Sequence, residues 1–159
     1  MKHPMRFLLP VAAALLLSLE CAPVHAANSC SVSATGVSFG NYNPAVTSPT
    51  TSTGTISVTC TITAADTITI ALSTGSSGSY TARTMLSGTN TLTYNLYLNS
   101  ARTEIWGNGT AGTSEFSDTI PGGSGQGGGF ATTVFGEIPA QQNPFPGSYS
   151  DTITVTVNF

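Results

Sequence analysis

The sequence predicts an all-β chain, an antiparallel sandwich or barrel, and three observations carry that expectation. Apolar and polar residues alternate with period two in several short stretches. Clusters of Pro, Gly, Ser and Asn punctuate those stretches at 43–54, 73–79, 107–112, 121–129 and 139–147. No segment after the amino-terminal apolar run holds a helical period, and threonine dominates the polar faces, where a β-branched side chain suits a pleated surface.

Residues 1–26 are expected to be an export signal, followed by one domain over 27–159. Lys2, His3 and Arg6 form a basic start, residues 7–19 are apolar apart from Pro10 and Ser18, and Val24-His25-Ala26 suits cleavage between Ala26 and Ala27. The 13-residue apolar run is shorter than the roughly 20 residues a membrane span needs. Lipidation at Cys21 is disfavoured, because Glu20 stands where a small residue is required. Removal of the signal takes away both lysine-or-arginine residues of the leader, both histidines and Cys21. What remains has Arg83 and Arg102 against six carboxylates, a net charge of −4. That balance offers no electrostatic footprint for nucleic acid or anionic lipid.

The strands follow in order. Val32, Val37 and Phe39 suggest a first strand broken near Gly36. Residues 55–63 place Ile56, Val58, Cys60 and Ile62 inward and Ser57, Thr59, Thr61 and Thr63 outward. Cys60 and Cys30, the two cysteines left in an oxidising compartment, are expected to form a disulfide. Closing a loop of that size stabilises by roughly 3–4 kcal/mol in the chain-entropy account. Two cysteines without histidine argue against zinc. Residues 66–73 repeat the pattern with Ile68, Ile70 and Leu72, and 91–99 with Leu92, Tyr94, Leu96 and Leu98. A penultimate strand is expected over 130–135. The glycine-rich run 121–129 lacks a phosphate-binding or calcium-binding pattern and reads as a flexible surface connection.

The last strand is the best patterned. Tyr149, Ile153, Val155, Val157 and Phe159 share one face, with Asp151 its only polar member, while Ser150, Thr152, Thr154, Thr156 and Asn158 share the other. A chain end patterned in this way expects a neighbouring strand.

Catalysis has few candidates. No histidine, lysine or free thiol survives processing, which removes the commonest bases and nucleophiles. Glu115 and Asp118 read as solvated loop charges, Arg102 and Glu104 as a structural ion pair, and Asp151 as a turn cap or a partner of Arg83 or Arg102. No cofactor is expected. A monomeric extracellular carbohydrate-binding module, using Trp106 and Tyr97, is the alternative reading, although a lone Trp at a strand end is more often core.

Residues 94–110, Tyr-Asn-Leu-Tyr-Leu-Asn-Ser-Ala-Arg-Thr-Glu-Ile-Trp-Gly-Asn-Gly-Thr, resemble the signature of the spore coat protein U domain, the subunit fold of archaic (Csu-type) chaperone–usher pili. Further landmarks fall in that family's order: Cys30 before Phe39-Gly40-Asn41-Tyr42, Val58-Thr59-Cys60, Tyr80 with Arg83 and Met85, 135–139, and 147–152. The resemblance implies an incomplete immunoglobulin-like antiparallel sandwich, completed by a donor strand. It also implies a groove beside the terminal strand (Tyr149, Ile153, Val155, Val157, Phe159), which a periplasmic pilus chaperone fills first and another pilus subunit afterwards. An outer-membrane usher and a cell-surface destination follow from the same resemblance. Cleavage after Ala26 would leave three residues before Cys30, reaching about 10 Å. That is too short for a donor strand, so such a subunit would receive a strand without giving one, as a pilus tip would. The tip adhesin of such pili, however, resembles two fused domains, whereas this sequence reads as one, and the position in the fibre stays open.

Overall fold

The computed structural model describes residues 28–122 and 127–159, so the expected cleavage site at Ala26 and Ala27 lies outside the described residues. Alternation of Thr or Ser with Ile, Val or Leu produces most of the eight strands: β1 (Ser29–Thr35), β2 (Thr50–Thr61), β3 (Asp66–Leu72), β4 (Arg83–Ser87), β5 (Asn90–Tyr97), β6 (Phe116–Ile120), β7 (Gly127–Ile138) and β8 (Val155–Asn158). A short 3-10 turn, Gly75–Ser77, follows β3. The strands form two antiparallel sheets, one ordered β1-β2-β7-β5-β4 and the other β6-β3-β8. This is an immunoglobulin-like sandwich curled into a half-barrel. Among the described residues no helix is long and apolar enough to cross a membrane.

The inward faces meet as the sequence pattern requires. Ile56, Val58, Cys60 and Ile62 pack against Ile68, Ile70, Leu72, Leu92, Leu96 and Val134 in one buried cluster. Cys30 lies opposite Cys60 in the β1–β2 ladder, and the two form the expected disulfide, closing a sequence separation of 30. β4 and β5 join through Gly88-Thr89, with Gly88 at φ 62° in the first central position that such a two-residue hairpin turn reserves for glycine.

Three expectations are corrected. The glycine run is not all loop: Gly127, Gly128 and Gly129 pair with Thr61, Cys60 and Thr59 in the β2–β7 ladder. Backbones approach closely there, since a Cβ on Gly129 would lie 2.6 Å from the Val58 carbonyl oxygen. Asp118 lies within β6 rather than in a loop. Arg102 pairs with Glu137 (3.9 Å), not Glu104. Its segment is a turn, with Arg102 N–H donating to Asn99 O and Arg102 at φ 55°, which carries the guanidinium toward β7.

Backbone hydrogen bonds stitch the sheets together at two places. Trp106 N–H donates to Leu96 O (2.9 Å) and Leu72 N–H to Gly107 O (3.0 Å), so residues 106–107 bridge β5 and β3. The chain before β8 does likewise. Ser150 exchanges two hydrogen bonds with Leu86 of β4 (2.8 and 3.1 Å), and four residues later Thr154 O accepts from Ser73 N–H (3.0 Å). The terminal segment therefore starts on one sheet and ends on the other. This is why its ladder covers only Val155–Asn158, although its alternation begins at Tyr149.

Candidate functional site: an open groove between the sheets

Between the two sheets lies a cavity of about 920 Å³. One wall is residues 34–42, which continue from β1; the other is 144–155. Its floor is core: Ile56, Leu72, Leu92, Leu96, Val134 and Ile138 all reach it.

The first wall is held by a few specific contacts. Val37 and Phe39 turn inward in alternation and cross β7 at Gly136, where any Cβ would sit 2.6 Å from Val37 Cγ1 and 2.8 Å from Phe39 Cζ. Ser52 Oγ donates to Ser38 O (2.6 Å), and the Tyr42 hydroxyl donates to Pro139 O (3.0 Å) while accepting from Gln142 N–H (2.8 Å). Phe39 meets Tyr94 edge-to-face, with ring centroids 6.1 Å apart.

The second wall carries the terminal residues. Tyr149, Ile153 and Val155 line the cavity. Val157 packs against the core cluster outside it, and Phe159, beyond the last ladder pair, is 51% exposed. Burial alternates without a slip from half-buried Tyr149 to exposed Asn158, yet no side chain on this face is fully buried. On the neighbouring strand Ile68 and Ile70 are 0% exposed. The inner face of the terminal segment is thus covered on one side alone.

Its backbone is equally one-sided. In an antiparallel ladder both main-chain groups of a residue point to the same side, alternating along the strand. Thr154 faces β3 through its bond from Ser73, and the register Leu72↔Val155 to Thr69↔Asn158 continues that phase. Thr156 and Asn158 therefore face β3, and the N–H and C=O of Ile153, Val155 and Val157 face the free edge. β8 ends its sheet, so no described strand meets them.

Two polar centres brace the site. Arg83, 0% exposed, donates through Nε and Nη2 to Ser73 O (3.1 and 2.9 Å), through Nη2 to Trp106 O (2.7 Å) and through Nη1 to Asn95 Oδ1 (2.7 Å), with its guanidinium 5.4 Å from the Tyr80 ring centroid. Burial lowers its pKa, partly offset by Tyr94, Tyr80 and Asp151. A guanidinium keeps its charge regardless. Asp151 pairs with neither arginine. It accepts from the Tyr94 hydroxyl (2.7 Å) and from Ser76 N–H and Oγ (2.9 Å each). Burial alone would raise its pKa, but these bonds and one from Thr152 N–H hold it below the ordinary carboxylate value.

Trp106 is 0% exposed and donates Nε1–H to Ile70 O (2.8 Å), so it presents no face to a sugar ring. It belongs to the core, which removes the platform of the carbohydrate-binding alternative. Tyr94, Ser76 and the inward pair Val37 and Phe39 were not singled out as site residues from the sequence. The alternation resuming after Gly36 was the one signal for the first wall.

A family model described as the Spore Coat Protein U domain matches residues 15–156. The chain belongs to this family. Protein U of Myxococcus xanthus is 32% identical over 134 residues, which span 77% of this chain and 71% of that protein. Among solved structures, the CsuC–CsuE chaperone–tip adhesion subunit pre-assembly complex, from archaic chaperone–usher Csu pili of Acinetobacter baumannii, contains a similar fold. The TM-score is 0.54 at 23% identity, covering 83% of this chain and 40% of that one. At that identity the likeness is one of fold.

Proposed function

We propose that this spore coat protein U chain is a secreted structural or adhesive subunit of a chaperone–usher pilus or surface coat. Residues 1–26 act as its export leader. A periplasmic chaperone and then another subunit each lend a β-strand to the groove, and an outer-membrane usher passes the chain to the cell surface. The observation that carries the reading is the coincidence of phases on the terminal segment. Ile153 and Val155 turn apolar side chains into the cavity and, by the ladder alternation, turn their unused main-chain groups to the free edge. An incoming strand would satisfy both at once, with main-chain bonds giving affinity and alternate side chains filling the groove. Left uncovered, such an edge invites aggregation. The family and the fold of the chaperone-bound neighbour support the same reading.

The test is capture by a co-expressed periplasmic chaperone of the chaperone–usher type. Val155→Asp would bury an unpaired carboxylate at a cost of several kcal/mol. Capture and surface assembly should fall more than about a hundredfold. Thr154→Asp, on the exposed face, should be captured normally. Equal capture of both variants would overturn the groove as the chaperone's docking place.

A further inference from the structure

Among the described residues, Asp151 is the one charged residue lining the cavity. It lies on the same inward face as Tyr149, Ile153 and Val155, at the point where the chain crosses from β4 to β3. Its seat is built. Oδ1 accepts from Ser76 N–H (2.9 Å), Ser76 Oγ (2.9 Å) and Thr152 N–H (2.8 Å), while Oδ2 accepts from the Tyr94 hydroxyl (2.7 Å). Gly75, at φ +65°, lies directly beneath the carboxylate, which occupies the space any Cβ would need. Four hydrogen bonds, from the 3-10 turn, β5 and the neighbouring Thr152, therefore hold one carboxylate in an otherwise uncharged groove.

A groove of alternating apolar positions has a register problem. Slipping an added strand by one residue turns its apolar side chains out of the groove and is strongly disfavoured. Slipping it by two keeps both the alternation and the main-chain pairing. Apolar contact discriminates weakly between such registers. A fixed carboxylate discriminates better. A Val or Ile placed over Asp151 strips water from an ion without offering a hydrogen bond. Oδ1 already takes three donors, but Oδ2 takes one and has a lone-pair direction left. A small or donating side chain fits there.

We propose that Asp151 fixes the register of the strand that enters the groove. Apolar side chains lie beside Ile153 and Val155, and a serine, threonine, asparagine or glycine lies beside Asp151. This rests on the strand-addition reading above and adds to it which residues of the donor are selected. Asp151 is a specificity-determining residue, and Tyr94, Ser76 and Gly75 are the positioning residues that hold it.

The test uses the disulfide-bonded chain refolded with short synthetic peptides of alternating Val and Thr. Each peptide carries a benzophenone at its first residue and one serine in place of a chosen valine, moved by two residues from peptide to peptide. After irradiation the labelled residue of the chain is mapped by mass spectrometry. In the wild type, the label should shift by two residues for each two-residue move of the serine, because the serine stays beside Asp151. In Asp151→Val the label should no longer follow the serine. A wild-type label that ignores the serine overturns the register role while leaving strand addition standing. A label that follows the serine in Asp151→Val as well also overturns it. Failure of every peptide to label the chain overturns strand addition itself. If Asp151→Val does not fold, the wild-type series alone decides.

Discussion

At the residue scale the most informative feature is the Asp151–Tyr94 pair, whose two titrations lie at opposite ends of the pH range. The Asp151 carboxylate is favoured in the fold by bonds from Tyr94, Ser76 and Thr152, which outweigh the effect of burial and hold its pKa below the ordinary 3.8. A carboxylate so depressed contributes stability that is present above its unfolded pKa and is lost as pH falls through the folded one. Tyr94 runs the other way. Burial first, and then the bond to Asp151, hold its hydroxyl above the ordinary 10.0. Its contribution is present below pH 10 or so and is lost at higher pH. Urea midpoints across the pH range should therefore fall at both extremes. Asp151→Asn should flatten the acid limb, and Tyr94→Phe the alkaline limb. Unchanged limbs in both variants would show that the pair is too solvated to matter. Little of this was legible in the sequence. The odd polar residue on an apolar face was visible, but its Ser76 partner lies 75 residues away. Charge complementarity pointed wrongly to the arginines, because Arg83 is satisfied by neutral carbonyls and an amide. The disulfide was legible, because inward phase and cysteine count together left one pairing.

At the element scale, legibility tracked how much apolar period a strand carries. β2, β3 and β5 each present three or more inward apolar residues and were readable directly. β4 and β6 have five residues each, with Arg83 as the buried member of one and Ile120 of the other. A two-residue period needs more repeats than that to stand out. Glycine misled at β7, where it marks a close backbone approach rather than a loop. The first groove wall rests on another such approach, at Gly136. Gly136→Val should force Val37 and Phe39 away and cost about 1–3 kcal/mol by overpacking. Amide hydrogen exchange over residues 36–40 should speed up, while exchange in β3 and β5 should change little. Protection that falls evenly over the whole sandwich would mean that the wall is not an independent unit. The disulfide anchors the head of β1, whose far end runs into this wall, and Tyr42 holds the wall's other end.

At the scale of the whole molecule, the half-barrel is an unbalanced object. Its bridging segments satisfy backbone groups from both sheets, whereas its groove leaves core side chains at the floor of a cavity and, among the described residues, the outer edge of β8 unpaired. Its surface charge offers no compensation through basic partners. Of the two arginines among the described residues, Arg83 is buried, and Arg102 donates to Gly136 O and Ser100 O beside Glu137. The stability of such a fold should depend on what fills the groove. A ligand that binds only the folded state stabilises by RT ln(1 + [L]/Kd), about 2.7 kcal/mol at a hundredfold excess over Kd. The refolded chain alone should bind an apolar-surface dye and aggregate as its concentration rises. Adding an alternating peptide should suppress both and raise Tm steadily with the logarithm of peptide concentration. The slope distinguishes occupancy of the groove from nonspecific rescue, because a scrambled peptide of the same composition lacks the alternation that matches the free edge and should raise Tm far less. Equal rises with both peptides would mean nonspecific rescue rather than occupancy of the groove, and a Tm that ignores peptide altogether would mean that the sandwich is complete as it stands.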